Sequence, residues 1–179
     1  MKIPLEMQKI KDPDGSTQFR AIIFLQDAIG DTARSQTLIH IQNTYVAFVR
    51  RCHEILRDIQ QNRKHMSDSK VQWELADTIY MFVKNVENYG FIFINYIESI
   101  SRDVRISKSQ LRYLIKFRTY YPSIKDVSKQ INWSKYRELL DFPNQKSKKE
   151  CEDQILNGRI RTDTEIREYK RKIKARKIP

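Results

Sequence analysis

Residues 35–64 read SQTLIHIQNTYVAFVRRCHEILRDIQQNRK, the longest periodic stretch in the chain. Leu38, Ile41, Tyr45, Phe48, Cys52, Ile55 and Ile59 follow one another at alternating spacings of 3 and 4. Such spacing is a heptad seam on one α-helix. A helix from Ser35 to Lys64 would be roughly 45 Å long. Val49 and Leu56 add apolar positions beside the seam and widen it toward the stripe of a helix packed in a globular core. Two destinations stay open, the interior of this chain and the seam of a helical dimer, and one helix can serve both.

Working outward, DPDGS at 12–16 reads as a loop, and Ser16–Ile29 reads as a short helix with Phe19, Ile22, Ile23 and Leu25 as its apolar residues. On the other side a polar break, KHMSDSK, precedes Val71–Val86, where Trp73, Ala76, Ile79, Tyr80, Val83 and Val86 recur at helical spacing. Tyr89-Gly90 is a stop, because glycine enters the left-handed cap conformation without a Cβ penalty. Phe91–Val104 then resumes with Phe91, Ile94, Ile97 and Ile100 on one face. No segment sustains strict apolar–polar alternation, so no strand is expected. Only 4 Gly and 5 Pro point the same way, since an all-β chain needs many tight turns. The expected fold is all-α.

With 179 residues, 40% of them hydrophobic and 11% aromatic, the chain can bury one ordinary core and carry an appendage. Its expected organisation is an N-terminal segment with a short helix (1–33), a helical domain (34–144) and a basic helical extension (145–179). No apolar run approaches the roughly 18 residues of a membrane span. MKIPLEMQKIKDPDG lacks the continuous apolar stretch of a secretory signal. Cys52 and Cys151 stand far apart with no CxxC partner, which disfavours a disulfide framework and a zinc site. A cytoplasmic protein with two reduced thiols is the expectation.

The net charge of +12 is unevenly placed: −1 over residues 1–33, +2 over 34–97, +5 over 98–144 and +6 over 145–179. Such asymmetry points to a polyanion met by the C-terminal half. Within that half, Ser107 and Gln110 make an S-x-x-Q capping box that opens a helix, and Pro122 closes it by disfavouring helical geometry at Tyr121. Leu111, Leu114, Ile115 and Arg118 lie on one side of it, and Ser109, Arg112, Tyr113 and Lys116 on the other. The preceding helix ends near Asp103, leaving Val104, Arg105 and Ile106 as the connection. Helix, short turn, capped helix with a basic outer face is the helix-turn-helix arrangement, although the glycine common in such turns is missing. A plain surface helix would show the same pattern. On the first reading Ser109, Arg112, Tyr113 and Lys116 are candidates for base edges, where Arg can take a guanine bidentately. Arg105, Lys108, Lys125, Lys129, Lys135, Lys170, Arg171, Lys172, Lys174, Arg176 and Lys177 are candidates for phosphates, which fix register without carrying sequence information.

Tyr89-Gly90, Ile106-Ser107, Leu111-Arg112-Tyr113, Phe117, Tyr121-Pro122, Trp133-Ser134, Tyr136 and Leu139-Leu140 together resemble the N-terminal helical domain of the YhcG-type PD-(D/E)XK nucleases. The resemblance spans roughly residues 45–145, and Trp-Ser-x-Tyr…Leu-Leu is its most specific part. It implies an all-helical, DNA-binding module of a kind often attached to a nuclease. Two features depart from the family: Arg102–Ile106 replaces its glycine-containing approach to the serine, and only 35 residues follow Asn144, too few for the nuclease domain. Read without the family, Trp133, Tyr136, Leu139 and Leu140 make a short amphipathic helix capped by Asn132, with the tryptophan in the core.

Two further capping boxes, Ser147 with Glu150 and Thr162 with Glu165, open helices in the extension, the first ended by Asn157-Gly158. The last eleven residues, YKRKIKARKIP, hold six cations and no acid. This end either orders on DNA or a partner subunit, or is a solubilising tail. Glu168-Tyr169-Lys170, with Asp163 upstream, matches half of a PD-(D/E)XK site. It lies in helical sequence, however, without the strand hairpin that would hold carboxylates around a metal. His40, His53 and His65 lack metal-ligand spacing, and no phosphate loop or nucleophile elbow exists. The expectation is a double-stranded DNA-binding protein without enzymatic activity, metal or cofactor. A homodimer is expected, the placement is cytoplasmic and nucleoid-associated, and no membrane is involved. Two alternatives stand beside it: an interaction subunit that docks a nuclease or other effector, and an RNA-binding protein.

Overall fold

The computed structural model of the chain describes residues 2–12, 14–23, 32–61 and 68–175, with backbone only at 32–34. Ile3–Lys11 forms strand β1 and Thr17–Ile23 forms β2, paired antiparallel with Leu5 opposite Ile23 and Lys11 opposite Thr17. Between them the Gly15 amide donates to the Asp12 carbonyl at 2.9 Å and the Asp12 amide to Ser16 at 3.0 Å. Gly15 takes φ 83°, the left-handed conformation that closes the turn. A third strand, β3 (Phe91–Phe93), runs parallel to β1, so the sheet order is β2-β1-β3.

The helices are α1 (Thr32–Gln61), α2 (Ser69–Asn88), α3 (Tyr96–Val104), α4 (Lys108–Tyr120), α5 (Trp133–Leu139), α6 (Gln145–Leu156) and α7 (Asp163–Ala175). These seven helices and the mixed sheet make an α+β fold among the described residues, which overturns the all-α expectation. Two particular readings fall with it. The helix expected at 16–29 is strand β2 over its described part; Leu25 and the rest lie outside the described residues. The helix expected to resume at Phe91 begins only at Tyr96. Phe91 and Phe93 are instead buried on one face of β3, with Ile92 exposed between them.

The physical reason is brevity. Leu5 and Met7 are buried while Gln8 is exposed, an alternation that covers only a few residues before Lys9 interrupts it. Phe91, Ile94, Ile97 and Ile100 fit a helical period, and the strand alternation of Phe91 and Phe93 about Ile92 covers only three residues. Distant partners decide: the Ile3 amide reaches Gly90 at 2.9 Å, and the Ile94 amide reaches the Leu5 carbonyl at 2.8 Å. Gly90, at φ 84°, ends α2 as expected, but what it starts is a strand.

The chain divides into two compact units, residues 1–56 with 75–112, and residues 57–74 with 113–179. In the first, Tyr45 of α1 sits at the centre of an aromatic cluster. Its ring centroid lies 5.1 Å from Phe19, 5.6 Å from Phe48, 5.3 Å from Phe82 and 6.1 Å from Phe93. The Tyr45 hydroxyl donates to the buried Asp103 at 2.7 Å. Arg102 grips the same carboxylate with Nε at 2.7 Å and a terminal nitrogen at 2.9 Å. It also donates to the Met7 carbonyl at 3.3 Å, on the part of β1 that β3 does not reach. On β2, the Ala21 amide donates to Gln42 of α1 at 3.4 Å. Ile41, Tyr45, Phe48, Cys52 and Ile55 of the heptad seam are buried within the chain, together with Val49.

In the second unit Phe117 has ring centroids of Tyr121, Trp133 and Tyr136 at 5.2, 5.1 and 5.0 Å. The side chain of Asn132 caps α5 by accepting from the Lys135 amide at 3.0 Å. Helix α6 begins earlier than the expected Ser147 box: Asn144 caps it, accepting from the Ser147 amide at 2.9 Å, and Ser147 is buried. The Thr162–Glu165 box forms in both directions, at 3.2 and 2.9 Å. Helix α7 is folded onto α5. Ile166 is fully buried, worth about 1.5–3 kcal/mol, and the Ser134 hydroxyl donates to Asp163. Among the described residues no helix is long and apolar enough to cross a membrane.

Candidate nucleic-acid interface

The turn between α3 and α4 belongs to the first unit. Arg105 takes φ 62°, ψ 42°, the left-handed conformation that a glycine adopts more cheaply, and its amide donates to the Ser101 carbonyl. The Ile106 amide reaches the same carbonyl at 3.2 Å, and the Ser101 hydroxyl returns a bond to the Ile106 carbonyl at 2.6 Å. Ile106 is buried under the turn. Ser107 then accepts from the Gln110 amide at 3.1 Å, which starts α4 where the capping serine stands.

Along α4, Leu111, Leu114 and Phe117 are fully buried, and the opposite side holds the four residues expected near base edges. Ser109 and Arg112 are exposed and lie in the first unit. Lys108 beside them donates to Glu98 of α3 at 2.9 Å. That bond holds the Glu98 carboxyl below its usual range, with the Lys108 and Arg112 charges adding to it. Tyr113 and Lys116, one turn further, lie in the second unit and meet an acid the sequence reading did not single out. The Tyr113 hydroxyl donates to Asp141 Oδ2 at 2.8 Å, and Lys116 Nζ stands 3.4 Å from Oδ1. The Arg137 guanidinium lies over the Tyr113 ring, 5.1 Å from its centroid. The bond to Asp141, with burial adding to it, pushes the Tyr113 hydroxyl above its ordinary value.

The phosphate candidates separate into groups. Arg105, Lys125, Lys129, Arg171, Lys172 and Lys174 are exposed, and Lys135 is half-buried. Lys125 rides on a short 3₁₀ turn, Ile124–Asp126, that Ser123 and Asp126 cap reciprocally. Lys170 is committed elsewhere: its ammonium lies 3.0 Å from Glu138 Oε2, and Arg167 occupies the other oxygen at 2.8 Å. Burial pushes Glu138 up, but those two bonds outweigh it and hold the carboxyl below the usual range. Arg176 and Lys177 lie outside the described residues.

In the second unit a lysine is buried in an aromatic setting. Lys148 of α6 is only 3% exposed, and its ammonium sits 4.3 Å from the Tyr120 ring centroid and 4.2 Å from that of Tyr121. Loss of hydration lowers its affinity for the proton, against the pull of Glu152. Glu152 accepts from the Tyr121 hydroxyl at 3.1 Å, and burial pushes its carboxyl up.

The residues set aside as a half-site share one helix. Asp163 and Glu168 sit on helix α7, the first bonded to Ser134 and the second exposed. His40 pairs with the Tyr89 hydroxyl at 3.0 Å, and His65 lies outside the described residues. Cys52 and Cys151 are buried free thiols in separate units, pushed up to about 12 by burial. Among the described residues no cluster of three or more His, Cys, Asp or Glu side chains is placed to hold a metal ion. Compared with protein-family models, curated proteins and solved structures, the chain matches none.

Proposed function

We propose that the chain is a non-enzymatic protein that binds double-stranded DNA, with α4 as its reading helix and exposed cations as phosphate contacts. The observation that carries this reading is where the charge lies. Residues 57–74 and 113–179 hold 22 basic and 12 acidic side chains, against 12 and 10 in the rest of the chain. A second support is local. Arg105 assumes the left-handed conformation in place of the absent glycine, so a short turn joins α3 to a serine-capped α4. Ser109 and Arg112 stand exposed on its outer side for base edges, and Arg105, Lys125, Lys129, Arg171, Lys172 and Lys174 for phosphates. A likeness to the helical module of YhcG-type nucleases and a cytoplasmic, nucleoid-associated place belong to the same proposal.

Titration of a labelled random duplex at several salt concentrations tests the reading. Affinity should fall linearly on a log–log plot, with a slope of about 0.9 per phosphate neutralised. Replacing Arg112 and Lys116 together by alanine should weaken it at least tenfold, and unchanged affinity would remove α4 from the interface. Stronger competition by structured RNA than by duplex DNA would transfer the protein to the RNA-binding class. Column sizing decides the proposed homodimer.

A second reading, docking of a nuclease or other effector protein, has one observation in its favour. Ile39, Tyr89 and Ile92 of the first unit are large apolar residues left exposed, at 59%, 47% and 45%. Since the heptad seam of α1 is buried in its own chain, such a partner would have to use these outer positions. Retention of a protein partner at salt concentrations that abolish DNA binding would support it.

A further inference from the structure

The geometry points to a phosphodiester-binding site at the end of α5, occupied in the free protein by the chain's own Asp141. It rests on the DNA-binding reading and assigns that reading a specific anchor. Tyr113 and Lys116 stand three residues apart on α4 and direct their donors to the two oxygens of one carboxylate, at 2.8 and 3.4 Å. Arg137 adds a second positive charge beside Tyr113, its guanidinium 5.1 Å from the ring centroid. A hydroxyl and an ammonium gathered on a two-oxygen anion, with a guanidinium over the ring that carries the hydroxyl, form a donor set suited to a backbone phosphate.

Asp141 is not a mobile surface acid. Leu139, Leu140 and Phe142, its neighbours in sequence, are buried, and its own amide donates to the Glu138 carbonyl at 3.3 Å. The carboxylate itself stays 40% exposed, as Lys116 does at 42%, so an incoming anion can reach the donors. A phosphate that takes Tyr113 and Lys116 leaves Asp141 without partners beside a second negative charge. The acid therefore sets a threshold: weak, passing contacts with polyanions are rejected, and only a duplex held by further contacts displaces it. Tyr113 and Lys116 are thereby phosphate contacts, while Ser109 and Arg112 keep the base edges.

The experiment is duplex titration over a range of salt with the full chain, its Asp141→Asn variant, and each of these combined with Lys116→Gln. Asparagine still accepts from the Tyr113 hydroxyl, so folding is retained, and a thermal melt checks it. Asp141→Asn should tighten duplex binding about fivefold, the scale of one surface ion pair, and steepen the salt slope by about 0.9. Lys116→Gln should cost more in the Asp141→Asn background than in the natural chain, because only there is the lysine uncompensated. Measurable binding with equal affinity for the natural and Asp141→Asn proteins overturns the inference and leaves the DNA reading standing. No duplex binding by either protein overturns both. Replacement of chloride by inorganic phosphate at fixed ionic strength should not displace the duplex. Displacement would reassign the site to a free ion and overturn the inference.

Discussion

At Arg105 the backbone pays a conformational penalty for which the side chain gives nothing in return within the fold. Left-handed φ costs an L-residue about 1–2 kcal/mol, and Arg105 adopts it with an exposed side chain. Arg105→Gly should therefore raise stability by about 1 kcal/mol, measured by urea unfolding. If Arg105 contacts a phosphate, the same variant should flatten the salt dependence of duplex binding by about 0.9. A gain in stability with an unchanged slope would leave Arg105 a turn residue only. Glu152 is the second residue whose chemistry can be read directly. Because burial lets folded Glu152 keep its proton to higher pH than the unfolded chain does, its contribution is present below pH 4.5. It is lost as pH rises through the raised folded value. Between pH 4.5 and neutrality, Glu152→Gln should gain stability relative to the natural protein. Parallel pH profiles for the two would show that Glu152 has no raised value in the fold.

Among the elements, α3 is anchored by polar bonds as well as by its buried Ile100 and Val104. Asp103 is buried and takes the Tyr45 hydroxyl and two Arg102 nitrogens, while Arg102 also satisfies an open carbonyl of β1. Asp103→Ala would strand a buried hydroxyl and release the guanidinium from its grip on the strand. A loss of about 3 kcal/mol is expected, and a loss below 1 kcal/mol would mean that water replaces the carboxylate. Helix α7 is held by Ile166 and by the two cations on Glu138. Glu138→Ala should raise amide exchange along Asp163–Ala175 without altering exchange at α2, since local stability follows local contacts. The strands show why element type was harder to read than element position. The stops at Gly90, Pro122 and Gly158 stand where expected, as do the caps at Ser107, Asn132 and Thr162. β1 and β3 alternate over too few residues to distinguish a strand from a helix turn; β1 is a strand because β2 and β3 lie on its two sides, and β3 because β1 lies beside it.

For the whole molecule, the candidate interface was legible in part. Ser109 and Arg112 are exposed on α4 as their spacing implies, and Trp133 is core. Which cations are available was not legible. Lys170 belongs to Glu138 across 32 positions, and Tyr113 to Asp141 across 28. The sequence by itself determined α1, α2, α4, α5 and α7, the caps at Ser107, Asn132 and Thr162, the stops at Gly90, Pro122 and Gly158, and the basic character of residues 98–179, since each follows from residues within about one turn of one another or from counting. Only the tertiary structure decided that the N-terminal segment is a sheet, that the heptad seam is interior, and that an acid already occupies the outer side of α4. The physical reason is that a strand ladder and an ion pair are both pairings between distant positions. The Arg102 bond to Met7 spans 95 residues, and no local periodicity carries information about a partner that far away.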